Sequence, residues 1–205
     1  MFIPASFKMT DVAEIHAFMR AHGFGTLVTQ GEGGMAATHL PLLLDADAGP
    51  RGTLIGHMAR ANPQWRDVAG EALAVFLGPH AYISASWYET PGTVPTWNYV
   101  TVHAYGTFQL VEDRDALHDI LTQTAAVYER GKPEPWSYDV ADPNVNQMLK
   151  AIVGFRIEIS RLEGKAKLNQ NHPEERRRKV IRALEAQGDE DSLAIARLMT
   201  ATLKA

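Results

Sequence analysis

The sequence predicts an α+β fold of mainly antiparallel strands, closed as a barrel with helices packed on its outside. Three observations predict it. Residues 96–111 alternate between two kinds of side chain with a period of two, which is typical of a strand. The links between the other apolar, strand-like segments are mostly too short for parallel crossovers. Segments with helical periodicity flank this strand-rich middle, at 10–22, at 113–130 and after residue 174.

The first half of the chain combines one helix with short strands. Thr10 can cap a helix over 10–22, and Gly23 ends it. Pro41 lies inside one apolar segment and indicates an edge strand or a bulge there. A glycine-rich hairpin turn and an Asn62-Pro63 turn separate other segments. Strands are predicted at 24–30, 35–45, 53–58 and 73–78.

The second half follows the long strand with helices and one further strand. The segment 131–143 is Pro-rich and is predicted to be irregular. Helices are predicted at 113–130, 144–150, 174–187 and 190–204, a strand at 153–162, and a loop at 163–175. The predicted organisation is a barrel domain over 1–172 with a helical extension over 173–205.

The two faces of the long strand differ in chemistry. The predicted core face carries Asn98, Val100, Val102, Ala104, Gly106, Phe108 and Leu110. The other face carries Trp97, Tyr99, Thr101, His103, Tyr105, Thr107 and Gln109. Aromatic and hydrogen-bonding side chains of this kind suit a flat polar ligand or a partner subunit. They are equally good strand formers, so they can also serve only to stiffen the sheet.

Composition limits the class of protein. The 205 residues are 45% hydrophobic and 21% charged, with a net charge of −4, which predicts one large domain without a basic excess for nucleic acid. The absence of cysteine excludes disulfides, thiolate metal sites and cysteine nucleophiles. No signal peptide and no apolar run of about 20 residues is visible. A cytoplasmic protein without a membrane segment is therefore expected.

The segment 56–65, GHMARANPQW, is the first candidate site. A predicted strand ends there and leads to a possible helix start, where free backbone N–H groups favour anions. Arg60 adds a bidentate donor for phosphate, and His57 and Asn62 add further polar groups. The alternative is an ordinary surface loop with an exposed arginine.

The segment 164–171, GKAKLNQN, is the second candidate site. Lys167 is suited to a phosphate or to a negatively charged ring. Asn169 and Gln170 carry amides that can pair with the edge of a heterocycle. The alternative is a solvated loop with no ligand.

Histidines and common catalytic motifs give no metal or nucleophile site. His39, His57, His80 and His103 lack metal-ligand spacing, so no metal is predicted. The chain has no GxSxG, no GxxxxGK[ST] and no strand-linked GxGxxG. A hydrolase or a dinucleotide-binding domain is therefore not expected, and no catalytic residue is assigned.

Six ordered segments together resemble the PaiB-like family, described as FMN-binding negative transcriptional regulators. They are MFIPASFKMTD at the start, ATHLPLLLD at 37–45, GHMARANPQW at 56–65, GPHAYISASWY at 78–88, VPTWNYVTVHAYG at 94–106 and GKAKLNQN at 164–171. The resemblance covers roughly residues 1–175. It implies a split β-barrel similar to pyridoxamine-phosphate oxidase and flavin reductases, and a homodimer with FMN at the subunit interface.

The resemblance also implies which residues hold FMN. Arg60, Asn62 and Lys167 are the candidates for the phosphate. The remaining candidates for cofactor contacts are Thr38, His39, His57, Ala59, Trp97, Asn98, Tyr99, Asn169 and Gln170.

Three functions remain open from the sequence. One is a flavin-binding repressor or accessory regulator, for which the basic residues of 174–182 offer a possible DNA contact among many acidic neighbours. The second is an FMN-dependent oxidoreductase, of the flavin reductase or pyridoxamine-phosphate oxidase type, that acts on a small acceptor. The third is a flavin binder that senses redox state. Whether the protein is an enzyme is not decided by these residues.

Overall fold

A computed structural model describes residues 1–137, 139 and 141–203 of the chain. Its strands are β1 (Lys8–Met9), β2 (Phe24–Gly31), β3 (Gly34–Pro41), β4 (Leu43–Asp45), β5 (Thr53–Ala59), β6 (Ala69–Ile83), β7 (Thr96–Val111) and β8 (Ile152–Lys167). Its helices are α1 (Val12–Ala21), α2 (Arg114–Tyr128), α3 (Pro143–Leu149), α4 (Glu174–Gln187) and α5 (Glu190–Ala201). No helix within the described ranges is both long and apolar enough to cross a membrane.

The strands hydrogen-bond in the order β3-β2-β6-β7-β8-β5-β4, and β1 pairs with β8. Each pair with a resolved register is antiparallel, as the sequence predicts. Strands β2 and β3 form a tight hairpin from Phe24↔Pro41 to Gly31↔Gly34. The observed elements therefore agree with a mainly antiparallel α+β protein.

Pro41 divides the strand that the sequence predicts over 35–45. Strand β3 ends at Pro41, β4 begins at Leu43, and the two lie at opposite ends of the strand order. Between them the Leu42 N–H donates to the carbonyl of Gly23 at 2.8 Å. The edge position inferred from Pro41 is confirmed, because proline lacks the N–H that a central strand would need.

Contacts divide the chain into two compact units. Unit 1 comprises Met1–Phe18, Leu77–Val102 and Glu163–Ala205, and unit 2 comprises Met19–Phe76 and His103–Leu162. Strands β6, β7 and β8 each contribute residues to both units. The predicted boundary between residues 172 and 173 is a different division, and it stays a prediction.

The long strand β7 has the predicted bounds, and its predicted core face is buried over most of its length. Asn98, Val100, Val102, Ala104 and Gly106 are all buried. Within unit 2, Phe108 then stacks on Phe155 with ring centroids 5.3 Å apart. The prediction is wrong at the end of the strand, since Leu110 is 39% exposed. Thr101, which belongs to the opposite face, is buried as well.

Strand β8 is longer than predicted, and the loop prediction for 163–167 is wrong. The extra residues of unit 1 pair with β1, with Lys8 opposite Lys165 and Met9 opposite Gly164. A Cβ on Gly164 would lie 2.8 Å from the Cβ of Met9, so glycine permits this close approach. The pairing partner lies about 150 residues away in sequence, and no local pattern reveals it.

The helices follow local signals. Asp113 caps α2, Asp142 caps α3 and Asp189 caps α5, each through its carboxylate. Helix α4 has the predicted bounds and ends at Gly188, which has a left-handed φ of 76°. Helix α5 ends at Ala201, and position 204 of its predicted range lies outside the described residues. The same holds for positions 138 and 140 of the irregular segment 131–143.

Unit 1 and unit 2 each have an apolar core. Buried residues of unit 1 include Ile83, Val100, Val180, Leu184, Ile195 and Met199. Buried residues of unit 2 include Leu27, Leu54, Phe76, Ile120, Phe155 and Ile157. Helix α2 packs closely on β8, because a Cβ on Gly154 would lie 2.8 Å from Ile120 and 2.9 Å from Leu117.

Candidate functional site

The predicted cofactor residues fall into two sets, one in each unit. The unit 2 set comprises Thr38, His39, His57, Ala59, Arg60 and Asn62. The unit 1 set comprises Trp97, Asn98, Tyr99, Lys167, Asn169 and Gln170. The structure brings residues together within each set as follows.

In unit 2, a buried glutamine connects two of the predicted residues. Asn62 caps the short 3₁₀ helix Pro63–Trp65 by accepting from the N–H of Gln64 at 3.0 Å. The Asn62 amide donates to the Thr38 hydroxyl at 2.9 Å, and that hydroxyl donates to Gln64 Oε1 at 2.5 Å. Gln64 Nε2 in turn donates to the carbonyls of Leu27 and Ala36. Thr38 and Asn62 are thus fixed in position by a residue that the sequence reasoning missed.

Arg60 is already held by other groups of unit 2. Its Nη1 forms an ion pair with Glu112 at 2.8 Å, and its Nε donates to the carbonyl of Lys150 at 3.1 Å. The Trp65 indole donates to the Arg60 carbonyl at 3.1 Å. Arg60 therefore links the end of β5 to Glu112, just after β7, and to Lys150 at the end of α3, and the Glu112 carboxylate compensates its charge.

The other residues of the unit 2 set differ in availability. His39 Nδ1 lies 2.8 Å from the hydroxyl of Thr26, and Ala59 is exposed at the end of β5. Burial lowers the pKa of His57, so its imidazole is neutral near pH 7. The buried Nδ1 of His57 has no hydrogen-bond partner among the described residues.

In unit 1, Lys167 lies at the end of a strand rather than in a loop. Its ammonium donates to the Thr96 hydroxyl and, at 2.8 Å, to the carbonyl of Trp97. Neighbouring Lys165 donates to the carbonyl of Phe2 and lies 5.1 Å from the centre of the Tyr99 ring. Burial, and then the positive charge of Lys165, lower the pKa of Lys167.

The turn after β8 is tightly ordered. Asn169 has a left-handed φ of 61° and is only 2% exposed, and its amide donates to the Tyr88 hydroxyl at 3.1 Å. Gln170 folds back on the turn, accepting from the N–H of Leu168 and donating to the carbonyl of Ala166. Both amides thus hold the turn that follows Lys167.

A further cation of unit 1 lies next to this turn. Arg176 Nη1 donates to His172 Nδ1 at 3.1 Å, and its guanidinium lies 5.6 Å from the centre of the Tyr88 ring. Burial, followed by the charges of Arg176 and Lys167, lowers the pKa of His172. Sequence reasoning missed Tyr88, His172 and Arg176, although SWY at 86–88 lies within a segment it singled out.

Asn98 and Trp97 point to different surroundings within unit 1. Asn98 is fully buried; its amide lies 3.4 Å from the Met199 sulfur, and its Oδ1 lacks a hydrogen-bond partner in the described part of the chain. Trp97 is 51% exposed and lies between two rings, with His80 at 6.1 Å and Tyr82 at 5.9 Å between centroids. Trp97 therefore presents an aromatic surface, whereas Asn98 faces helix α5.

The residues present fit FMN, which combines a phosphate dianion with a flat ring system that has a hydrogen-bonding edge. Lys165, Lys167 and Arg176 of unit 1 have no ion pair with a carboxylate in the described ranges. The Trp97 ring of the same unit supplies a flat aromatic surface that is 51% exposed. No group of three or more His, Asp or Glu residues suited to a metal occurs among the described residues.

Comparison with known proteins gives a family match and full-length relatives. Residues 1–161 match the family described as "Putative FMN-binding domain". The chain is 39% identical over 207 residues to "Protease synthase and sporulation protein PAI 2" of Bacillus subtilis, covering 100% of this chain and 99% of that protein. It is also 28% identical to an uncharacterised protein of Aspergillus fumigatus, covering 96% of this chain and 95% of that protein.

Solved structures show the same fold. The FAD and heme binding protein from Mycobacterium smegmatis has a TM-score of 0.60 at 14% identity, covering 78% of this chain and 73% of that one. The flavocytochrome Anf3 from Azotobacter vinelandii has a TM-score of 0.58 at 13% identity, covering 78% of this chain and 69% of that one. The predicted fold class, a mainly antiparallel α+β split barrel, is confirmed.

Proposed function

This chain belongs to the FMN-binding family that its six segments resemble, with FMN as the cofactor, and we propose that it is a PaiB-type negative regulator that holds FMN at a homodimer interface. The 39% identical Bacillus relative supports the regulatory part, since its name refers to protease synthase and sporulation. In this proposal the protein binds FMN, and its own side chains hold the cofactor in position.

The observation that carries the cofactor part is the uncompensated positive charge of unit 1. Burial is the main cause of the lowered pKa of Lys167 and of His172; the charge of Lys165 adds to the first, and the charges of Arg176 and Lys167 add to the second, so these groups also repel one another. A phosphate dianion placed among them would relieve this repulsion and accept charge-assisted hydrogen bonds. We therefore assign the FMN phosphate to Lys167, assisted by Lys165 and Arg176.

Exposed apolar side chains of unit 1 support the dimer. Leu77 is 56% exposed, Tyr82 48%, Val94 73% and Trp97 51%, and all four come from β6, β7 or the segment between them. Tyr82 and Trp97 are in contact, with ring centroids 5.9 Å apart, and exposed apolar surface of this kind marks interaction sites. A second copy of the chain is the proposed partner, and FMN then contacts both copies.

Introducing a charge at Leu77 is expected to dissociate the dimer. The Leu77→Asp variant would place a carboxylate in the proposed interface, where burial of an unpaired charge is strongly unfavourable. Sedimentation equilibrium should show a dimer for the wild type and mainly monomer for the variant. Absorbance of bound FMN should fall in parallel, because the cofactor loses the partner's contacts.

Met35→Asp is the matched control, because Met35 is 76% exposed and apolar but belongs to the β2–β3 hairpin of unit 2. This variant should stay dimeric and keep its FMN. A wild-type protein that sediments as a monomer with bound FMN would contradict the interface proposal.

We propose that residues 173–205 form a helical extension of the barrel domain over 1–172. The charges of this extension indicate whether the protein contacts DNA directly. Two of its basic residues are paired with carboxylates within unit 1, Arg178 with Glu174 and Lys179 with Glu89 and Glu175, while Arg177 contacts the Thr202 hydroxyl. Cations that are already neutralised release few counterions from DNA. We therefore propose that the protein regulates as an accessory to another factor.

A mobility-shift assay with a short DNA duplex is expected to show no salt-sensitive retention. The protein alone should leave the duplex unshifted at both about 50 mM and about 200 mM salt, a range over which phosphate contacts weaken binding strongly. If the protein instead retains the duplex at the lower salt, and an Arg178→Gln, Lys179→Gln double variant abolishes that retention, direct DNA contact through α4 is established.

A further inference from the structure

A cavity that none of the FMN-site residues lines lies in unit 2 between α2 and the β4–β5 pair. Its volume is about 520 Å³, within the range of about 300–1,000 Å³ that small-molecule sites occupy. We call it the α2 groove. Leu42, Leu44 and Ile55 lie on the strand side of the groove, and Ala126, Val127 and Tyr128 on the helix side. It is distinct from the residues predicted to hold FMN.

The α2 groove has apolar walls that are partly open to solvent. Leu42 and Ile55 are buried, while Val127 is 45% exposed and Tyr128 46% exposed on the helix side. A molecule with an apolar body would bury this exposed surface, and removal of apolar surface from water favours binding. The walls therefore favour a ligand with a hydrocarbon or aromatic body.

Two arginines without partners also line the α2 groove. Arg20 and Arg130 form neither an ion pair nor a hydrogen bond with any described residue, and Asp45 is the acidic residue of the lining. The charged groups of the groove therefore sum to +1. Unpaired guanidinium groups beside apolar walls favour a carboxylate, which they can bind through two parallel hydrogen bonds.

The Tyr128 hydroxyl adds a neutral donor to the same groove. It lies above Gly23, where a Cβ would come within 3.1 Å of the hydroxyl oxygen. Burial raises the pKa of Tyr128, so the hydroxyl keeps its proton at neutral pH. It has no described acceptor, and a carboxylate would supply one.

We propose that the α2 groove binds a small carboxylic acid with an apolar body, held by Arg20 and Arg130 at its carboxylate and by the leucine and α2 walls along its body. Such a ligand would contact α2 and β4 together. The inference stands independently of the FMN site, because it uses none of the residues assigned there.

Decanoate is a direct probe for this site. Calorimetric titration of the FMN-loaded protein is expected to show saturable binding of one decanoate for each chain. Decanol, which has the same body without the charge, should bind at least about tenfold more weakly, because charge-assisted hydrogen bonds would be missing. Absence of saturable decanoate binding, or equal binding of decanol, would overturn the proposal.

Variants localise the binding. The Arg20→Gln, Arg130→Gln double variant should weaken decanoate binding by about tenfold or more, while Tyr128→Phe should have a smaller effect. Arg51→Gln is the control, because Arg51 is exposed in the turn before β5 and does not line the groove. FMN absorbance and urea stability should match the wild type in all of them. If the double variant bound decanoate as tightly as the wild type, the two arginines would not hold the carboxylate, and the proposal would be wrong.

Discussion

Replacing Lys167 by alanine is expected to weaken FMN binding by about 10- to 100-fold. A hydrogen bond to a charged group contributes about 1.5–3 kcal/mol, and each 1.4 kcal/mol is a factor of ten in Kd. The Lys167 ammonium is partly buried and positioned by Thr96 and the Trp97 carbonyl, so little ordering remains to be done when the phosphate arrives. Fluorescence titration of the apo protein with FMN measures the change.

Arg60 provides the comparison, because the sequence marks it equally as a phosphate residue. Its guanidinium already pairs with Glu112 and with the carbonyl of Lys150. We therefore expect Arg60→Ala to change the Kd for FMN by less than about threefold, with the double variant close to Lys167→Ala alone. A large loss in Arg60→Ala and none in Lys167→Ala would reverse the assignment of the phosphate.

The pH dependence of FMN binding separates the charge of Lys167 from its contribution to packing. Burial and Lys165 hold the pKa of Lys167 below its usual 10.5 in the free protein, and a bound phosphate dianion would raise it. A group whose pKa rises on binding makes its full contribution to affinity at pH values below its pKa in the free protein. That contribution is lost as the pH rises through the pKa of the same group in the complex. Affinity should thus decline on the alkaline side, starting below pH 10.5.

Lys167→Arg is the matched control for that profile. Arginine keeps its charge throughout this range, so the part of the alkaline decline that belongs to Lys167 should disappear. On the acid side, both proteins should lose affinity below about pH 6, where a phosphate monoester becomes a monoanion. Identical alkaline profiles in the two proteins would show that Lys167 does not contact the phosphate.

Local signals in the sequence predicted most of the fold. The alternation over 96–111 gave the bounds of β7, and Pro41 marked the edge of the sheet. What local signals did not reveal was pairing between distant segments. The β1–β8 pairing extended β8 to Lys167, which changed a predicted loop into a strand end. Such pairing depends on the register of segments far apart in sequence, and a single sequence does not record it.

The candidate site shows the same difference between properties of one segment, which the sequence reveals, and contacts with distant residues, which it does not. The segments 56–65 and 164–171 were singled out for their polar side chains. The structure shows that packing also constrains the second of them, since Gly164 lies against Met9 and Asn169 is only 2% exposed. Which polar group is free was not predictable, because it depends on neighbours elsewhere in the chain. Arg60 meets Glu112, more than fifty positions away, whereas the lysines of β8 meet no carboxylate among the described residues. Residue type alone marks both as phosphate ligands.

Replacing Gly106 by alanine is expected to destabilise the protein more than any substitution of a surface residue. In unit 2, a Cβ on Gly106 would lie 2.2 Å from the carbonyl oxygen of Glu158 and 2.8 Å from a methyl carbon of Ile157. The first contact is with backbone of the paired strand β8 and cannot be relieved by a side-chain rotation. Gly106→Ala should therefore lower the free energy of unfolding by about 3 kcal/mol, the upper part of the range for overpacked cores.

Urea denaturation of the apo protein measures this effect, and Gly33→Ala is the control for the glycine-to-alanine change itself. A Cβ on Gly33 would have no neighbour within 4 Å in the β2–β3 turn, so its effect should stay within about 0.5 kcal/mol. The contrast between the two variants isolates the contact of β7 with β8 from the intrinsic preferences of glycine and alanine. A Gly106→Ala variant as stable as the control would mean that the two strands are farther apart than the structure places them.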